Sequence, residues 1–112
     1  LVKKYVPERG DVVWLTFDPQ AGHEQAGRRP AIVLSKLAFN TKRGLMIAAP
    51  ITSQIKGYPL EVPIDVKKRA SVVLPDHIRS VDWRARKASF VEKAPPAALD
   101  RVAAIVASLI EA

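Results

Sequence analysis

At 112 residues, 48% of them apolar, the chain is long enough to fold as one domain spanning residues 1–112 and too apolar to be disordered. It has no cysteine, which excludes disulfides, thiolate metal sites and cysteine nucleophiles and fits a reducing, cytoplasmic setting. Its 18 basic and 11 acidic residues leave a net charge of +7, suited to a polyanionic partner or to a merely solvated basic surface, and no apolar run approaches the roughly 18 residues of a membrane span.

The N-terminal LVKKYVPERG lacks the apolar core of a signal peptide. DVVWLTF, residues 11–17, is rich in β-branched and aromatic side chains and reads as a strand, ended by Asp18-Pro19. A polar loop, 20–29, follows. AIVLS, residues 31–35, is a short unbroken apolar run, as expected of a strand buried on both faces, with Pro30 at its first position. Residues 36–43 read as a turn or a single helical turn. LMIAAPI (45–51) is a third strand, and TSQIKGYP (52–59) a second polar loop. LEVPI (60–64) is strand-like, with Pro63 marking an edge or bulge; SVVL (71–74), IRSVDW (78–83) and KASFVE (87–92) complete the strands.

After Ala94-Pro95-Pro96 the period changes. Leu99, Val102, Ala103, Val106, Leu109 and Ile110 fall on one helical face, with Pro96 in the first turn and Asp100 placed to complement the positive helix end. Several short, non-repeating strands followed by one helix predict a mainly β fold: a small, strongly bent antiparallel sheet or barrel, its helix covering an opening or edge.

The residue inventory narrows the chemistry. Only His23 and His77 offer imidazole, and no tight carboxylate cluster accompanies either, so no metal site and no cofactor is expected. Gly22 and Gly27 are not followed by the Gly-Lys-Ser/Thr of a phosphate loop, and there is no Gly-x-Ser-x-Gly elbow. What remains is Glu, Arg, His and Thr. Loop 20–29 holds His23, Glu24 and Gln25 between glycines, and Arg29 at the mouth of a buried strand offers planar donors suited to phosphate. Glu24 can accept a proton where Arg29 cannot give one up. The plainer reading is a Glu–Arg ion pair shaping the loop.

Thr52 and Ser53 open the second loop. Hydroxyls at a strand end usually close a turn, yet with neighbouring N–H groups they also hold phosphoryl oxygens. Lys56 adds charge and Tyr58 a face for stacking a base. Between residues 79 and 87, Arg79, Arg84, Arg86 and Lys87 stand against Asp82 alone, with Trp83 among them. That pattern matches a single-strand groove; equally, Trp83 fills the core while the arginines alternate outward along a strand. Asp76 and His77 are placed to meet base edges or to cap a turn.

AGHEQAGRRPAIVLS, PITSQIKGYPLEV and LPDHIRSVDWRARK stand in the order and spacing of the MazF/PemK toxins, and the chain resembles that family from about Val6 to Ile110. Glu-Gln-x-Gly-x-Arg-Pro is the most specific part of the resemblance. It implies an SH3-like, CcdB/PemK-type barrel with a C-terminal α-helix, acting as a cytoplasmic homodimer. It implies a ribosome-independent endoribonuclease that cuts single-stranded RNA, often mRNA, at a short sequence. It also implies inhibition by a MazE-like antitoxin whose acidic tail lies over the RNA groove.

In MazF-type members the arginine of the Arg-Pro step and the threonine of the Thr-Ser step form the catalytic pair, which places those roles on Arg29 and Thr52, with the loop carboxylate on Glu24. PemK-type members are described with a loop histidine, an arginine and an aspartate. The histidine matches His23 and the aspartate Asp76, but the arginine position holds Leu74, so the Arg29/Thr52 version is favoured. His23, Gln25, Arg28, Ser53, Lys56, Tyr58, Asp76, His77, Arg79, Arg84 and Arg86 are then the expected RNA contacts. Two rival classes remain: a CcdB-like gyrase poison, which would need no RNA-cutting residues, and a noncatalytic RNA-binding module, for which the basic 79–87 stretch would suffice.

Overall fold

The computed structural model describes residues 4–16 and 28–111. The strands are β1 (Asp11–Thr16), β2 (Arg28–Val33), β3 (Met46–Thr52), β4 (Val62–Val66), β5 (Arg69–Val73), β6 (Arg79–Val81) and β7 (Ser89–Lys93). The helices are α1 (Leu37–Arg43) and α2 (Pro96–Ile110), and Pro75–His77 form a 3₁₀ turn. All pairings are antiparallel, in the order β4-β5-β3-β2-β1-β7, with β6 also on β3. β3 therefore carries β2 along one edge and shares the other between β6 at its start and β5 at its end. A register shift between Val12 and Val13 bends β1 against β7. The sheet curls until its far ends meet: the Lys67 N–H of the β4–β5 turn donates to Glu92 of β7 at 2.9 Å. The mainly β, bent-sheet expectation with a C-terminal helix is what the chain adopts.

Period-two alternation sorts the strands into two cores. Val12, Ile32, Ala49 and Ile51 face α2, where Val102 is fully buried and Leu99, Ile105 and Val106 pack alongside. Val13, Leu15, Ala31, Val33, Met46 and Ala48 face the other way, closed by Val81 and Trp83. β2 is thus buried on both faces, as its unbroken apolar run requires. Trp83 is a core residue, 5% exposed, its indole N–H donating to the Asn40 carbonyl at 3.0 Å. Pro63 lies on the edge strand β4.

Several expectations need correcting. β2 begins at Arg28, so Pro30 is its third residue. Pairing with β3 starts only at Ala31, so Pro30 sits where β2 is paired to β1 alone and a missing N–H is tolerated. The predicted turn at 36–43 is a seven-residue helix, closed by Gly44 at φ 68°. On α2, Leu109 and Ile110 are exposed rather than packed, so the buried stripe stops at Val106. Asp100 lies past the first turn, which carries no acidic residue.

Two buried polar residues tie the layers together. Asp11 is 2% exposed; it accepts from the Tyr5 hydroxyl, from the Glu8 N–H at 3.0 Å and from Lys93 Nζ at 2.5 Å. Burial, then the bond to Asp11, pushes the Tyr5 phenol up, and the bond to Asp11 raises Lys93. Raised values of both kinds mean that, on the alkaline side, these two donors keep their protons and the contact persists until the solution is strongly alkaline. Asn40 is fully buried. Its Nδ2 donates to the Pro7 and Ser35 carbonyls at 2.7 and 3.1 Å, and its Oδ1 accepts from the Ser35 hydroxyl at 2.5 Å. Asn40→Ala strands those partners in the interior and is expected to cost about 2–3 kcal/mol of unfolding free energy, read as a lower denaturant midpoint with unchanged slope.

Candidate active site

β2 and β3 pair only across Ala31–Val33 and Ala48–Pro50. Running the same register on by two residues sets Arg29 opposite Thr52. There the strands part, and both residues line a cleft of about 660 Å³. Arg29 is half-buried, its backbone paired with Leu15 of β1. Thr52 is the last residue of β3, paired with Val72 of β5. Its Oγ1 accepts the Gln54 N–H at 3.1 Å, so the hydroxyl does close a local turn. A hydroxyl has one proton and two lone pairs, and this bond leaves the proton for a second acceptor in the cleft.

The second loop forms the opposite wall. Gly57, at φ 79°, turns its N–H onto Glu61 Oε1 at 2.9 Å, and the Lys56 N–H reaches Oε2 at 3.2 Å. This staple holds Tyr58 in the open, 61% exposed, with Lys56 Nζ 6.0 Å from its ring centroid. Leu60 and Leu74 supply apolar lining. The 3₁₀ turn completes the wall: Asp76 and His77 both border the cleft, with His77 Nε2 3.7 Å from Asp76 Oδ2. The lining carries two cations, Arg29 and Lys56, and two carboxylates, Glu61 and Asp76. One of those carboxylates is already occupied by backbone N–H groups.

Arg29, Thr52, Lys56, Tyr58, Asp76 and His77 therefore converge. Ser53 is exposed one residue beyond Thr52, outside the cleft walls. Arg28 turns elsewhere: Nη1 donates to Thr16 Oγ1 at 2.7 Å, and Nη2 to the Lys87 carbonyl at 2.7 Å and Ser89 Oγ at 2.8 Å. Its donors fasten β1 to the 82–89 turn, so the expected RNA contact is occupied by protein acceptors. Arg84 and Arg86 do not alternate along a strand, because β6 ends at Val81 and the chain turns. Arg84 lies over Trp83, 5.2 Å from its ring centroid, and Arg86 Nη1 reaches the Thr16 carbonyl at 3.5 Å. Arg79 is exposed on β6. His23, Glu24 and Gln25 lie outside the described residues. Sequence reasoning missed Glu61; a carboxylate four residues after a turn glycine was the available signal. Among the described residues no three His, Cys, Asp or Glu side chains gather to hold a metal ion.

Residues 8–110 match the family described as PemK-like, MazF-like toxin of type II toxin-antitoxin system. The chain belongs to the PemK/MazF family. It is 44% identical over 110 residues to the endoribonuclease toxin MazF of Escherichia coli K12, covering 98% of this chain and 99% of that protein. It also superposes on the crystal structure of MazF from Deinococcus radiodurans with a TM-score of 0.85 and 52% identity, covering 96% and 98% of the two chains. A MazE-MazF structure from the same organism matches at TM-score 0.86 and 50% identity, covering 95% and 97%. Among the described residues, Leu74 lines the cleft as an aliphatic side chain and Arg29 supplies its guanidinium.

Proposed function

We propose that this cleft cuts single-stranded RNA at a short sequence, independently of the ribosome, as the toxin of a cytoplasmic type II toxin–antitoxin pair. Endoribonuclease activity is supported by family membership and by full-length relatives bearing that name. The observation that carries the mechanism is the convergence of Arg29 and Thr52 where β2 and β3 separate. RNA brings its own nucleophile, so in-line attack by the ribose 2′-hydroxyl requires orientation and charge stabilisation rather than a metal-bound water. Arg29 and the Thr52 proton stabilise charge on the phosphoryl oxygens. Glu24 aids removal of the 2′ proton. The products are a 2′,3′-cyclic phosphate and a 5′-hydroxyl. Tyr58 and Leu60 offer stacking and apolar surface to unpaired bases, while His23, Gln25, Asp76 and the exposed arginines contribute further contacts.

Inhibition by a MazE-like antitoxin is part of this reading, supported by the MazE-MazF structures of the Deinococcus relative. An acidic tail suits a chain of net charge +7. The functional unit is a homodimer. In the deciding experiment, the purified protein is incubated with a mixed-sequence RNA in EDTA. Fragments with uniform ends, each carrying a cyclic phosphate, are expected. RNA left intact would overturn the nuclease reading.

A further inference from the structure

We propose that His77 is the general acid of this cleft, giving a proton to the departing 5′-oxygen; the proposal rests on the RNA-cleaving reading above. As the 2′-oxygen bonds to phosphorus, the bond from phosphorus to the 5′-oxygen breaks and its electron pair passes to that oxygen. The 2′ proton goes to the base, for which Glu24 is proposed. The 5′-oxygen leaves poorly as an alkoxide, so a second group must protonate it as it departs.

The described walls hold one side chain of the right type. Guanidinium stays charged, ammonium and phenol groups ordinarily keep their protons to about pH 10, and an ionised carboxylate accepts rather than gives. Imidazole changes charge between about pH 5 and 8. Among the described lining residues that leaves His77. Its support is tied to that of the catalytic threonine. The His77 backbone N–H donates to the Leu74 carbonyl at 3.1 Å, and the Leu74 backbone N–H to the Pro50 carbonyl at 3.0 Å, two residues before Thr52 on β3. The imidazole is open to the cleft, 60% exposed, with the Asp76 carboxylate 3.7 Å from Nε2. It therefore stands on the same rim as Thr52, free to reach a bound strand.

Once the cut site has been mapped, two oligonucleotides test the assignment: the natural one, and one whose scissile 5′-oxygen is replaced by sulfur. A thiolate departs without a proton. His77→Ala is expected to slow the natural substrate by about 10²–10⁴-fold while cutting the sulfur-linked one at the wild-type rate. His77→Gln, which keeps the side chain's polarity but cannot supply the proton, should show the same split. Equal losses on both substrates, or no loss on the natural one, would overturn the assignment. Failure of the wild-type protein to cut the mixed-sequence RNA, leaving no site to map, would instead overturn the nuclease reading itself. Circular dichroism confirms folding of both variants.

Discussion

An oligonucleotide carrying a single 2′-deoxy sugar at the scissile position should remain intact when its all-ribose counterpart is cut. An oriented intramolecular nucleophile contributes about 7–11 kcal/mol to lowering the barrier, so its removal predicts a loss beyond about 10⁵-fold. On the proposed reading Arg29 and Thr52 stabilise charge and the substrate's own 2′-hydroxyl is the nucleophile, so the cleft they line has no replacement for it. The measurement is gel analysis of end-labelled substrate, with the deoxy sugar moved one position either way as a control. Normal cutting of the scissile-deoxy strand would eliminate in-line 2′ attack. Loss at all three positions would instead indicate a general requirement for ribose in binding.

Arg29→Ala should yield a folded protein that cuts about 10²–10³-fold more slowly. Folding survives because the position contributes to β2 through its backbone pairing with Leu15, while the side chain lies at the cleft and not in either core. A donor acting on the transition state lowers kcat with little change in KM, which separates it from a residue that merely binds RNA. Arg29→Lys keeps the charge but loses the planar fork, and should recover only part of the rate. Steady-state kinetics on the mapped oligonucleotide, beside a thermal melt, read both effects. A well-folded Arg29→Ala protein of near-normal kcat would remove Arg29 from the chemistry.

Much of the scaffold was visible in the chain because local patterns report burial directly. The unbroken AIVL run is the doubly buried end of β2 with Leu34 buried just past it, and the apolar stripe on 99–106 is the packed part of α2. Long-range partners leave no such mark. Arg28 reads as one more basic residue beside Arg29, yet its acceptors include groups on Lys87 and Ser89, about 60 positions away. Asn40 looks like a turn residue and is a buried junction of three segments. The β4–β5 turn uses Lys67 and Lys68 at φ 50° and 64°, where Asn or Gly would have announced it. The cleft was half legible. Family motifs nominated Arg29 and Thr52, but only the sharing of β3 between β2 and β5 brings Asp76 and His77 to the same rim.

The clasp between Arg28 and Thr16 anchors Arg29 independently of the stretch before it. Those residues face one another at the ends of the stretch that carries His23, Glu24 and Gln25, and they are pinned to the turn before β7. On the proposed reading, drift within that stretch alters which bases are read while the neighbouring guanidinium keeps its seat. A lineage of such toxins that keeps Glu24 can vary the residues around it, and so its targets, without unseating Arg29.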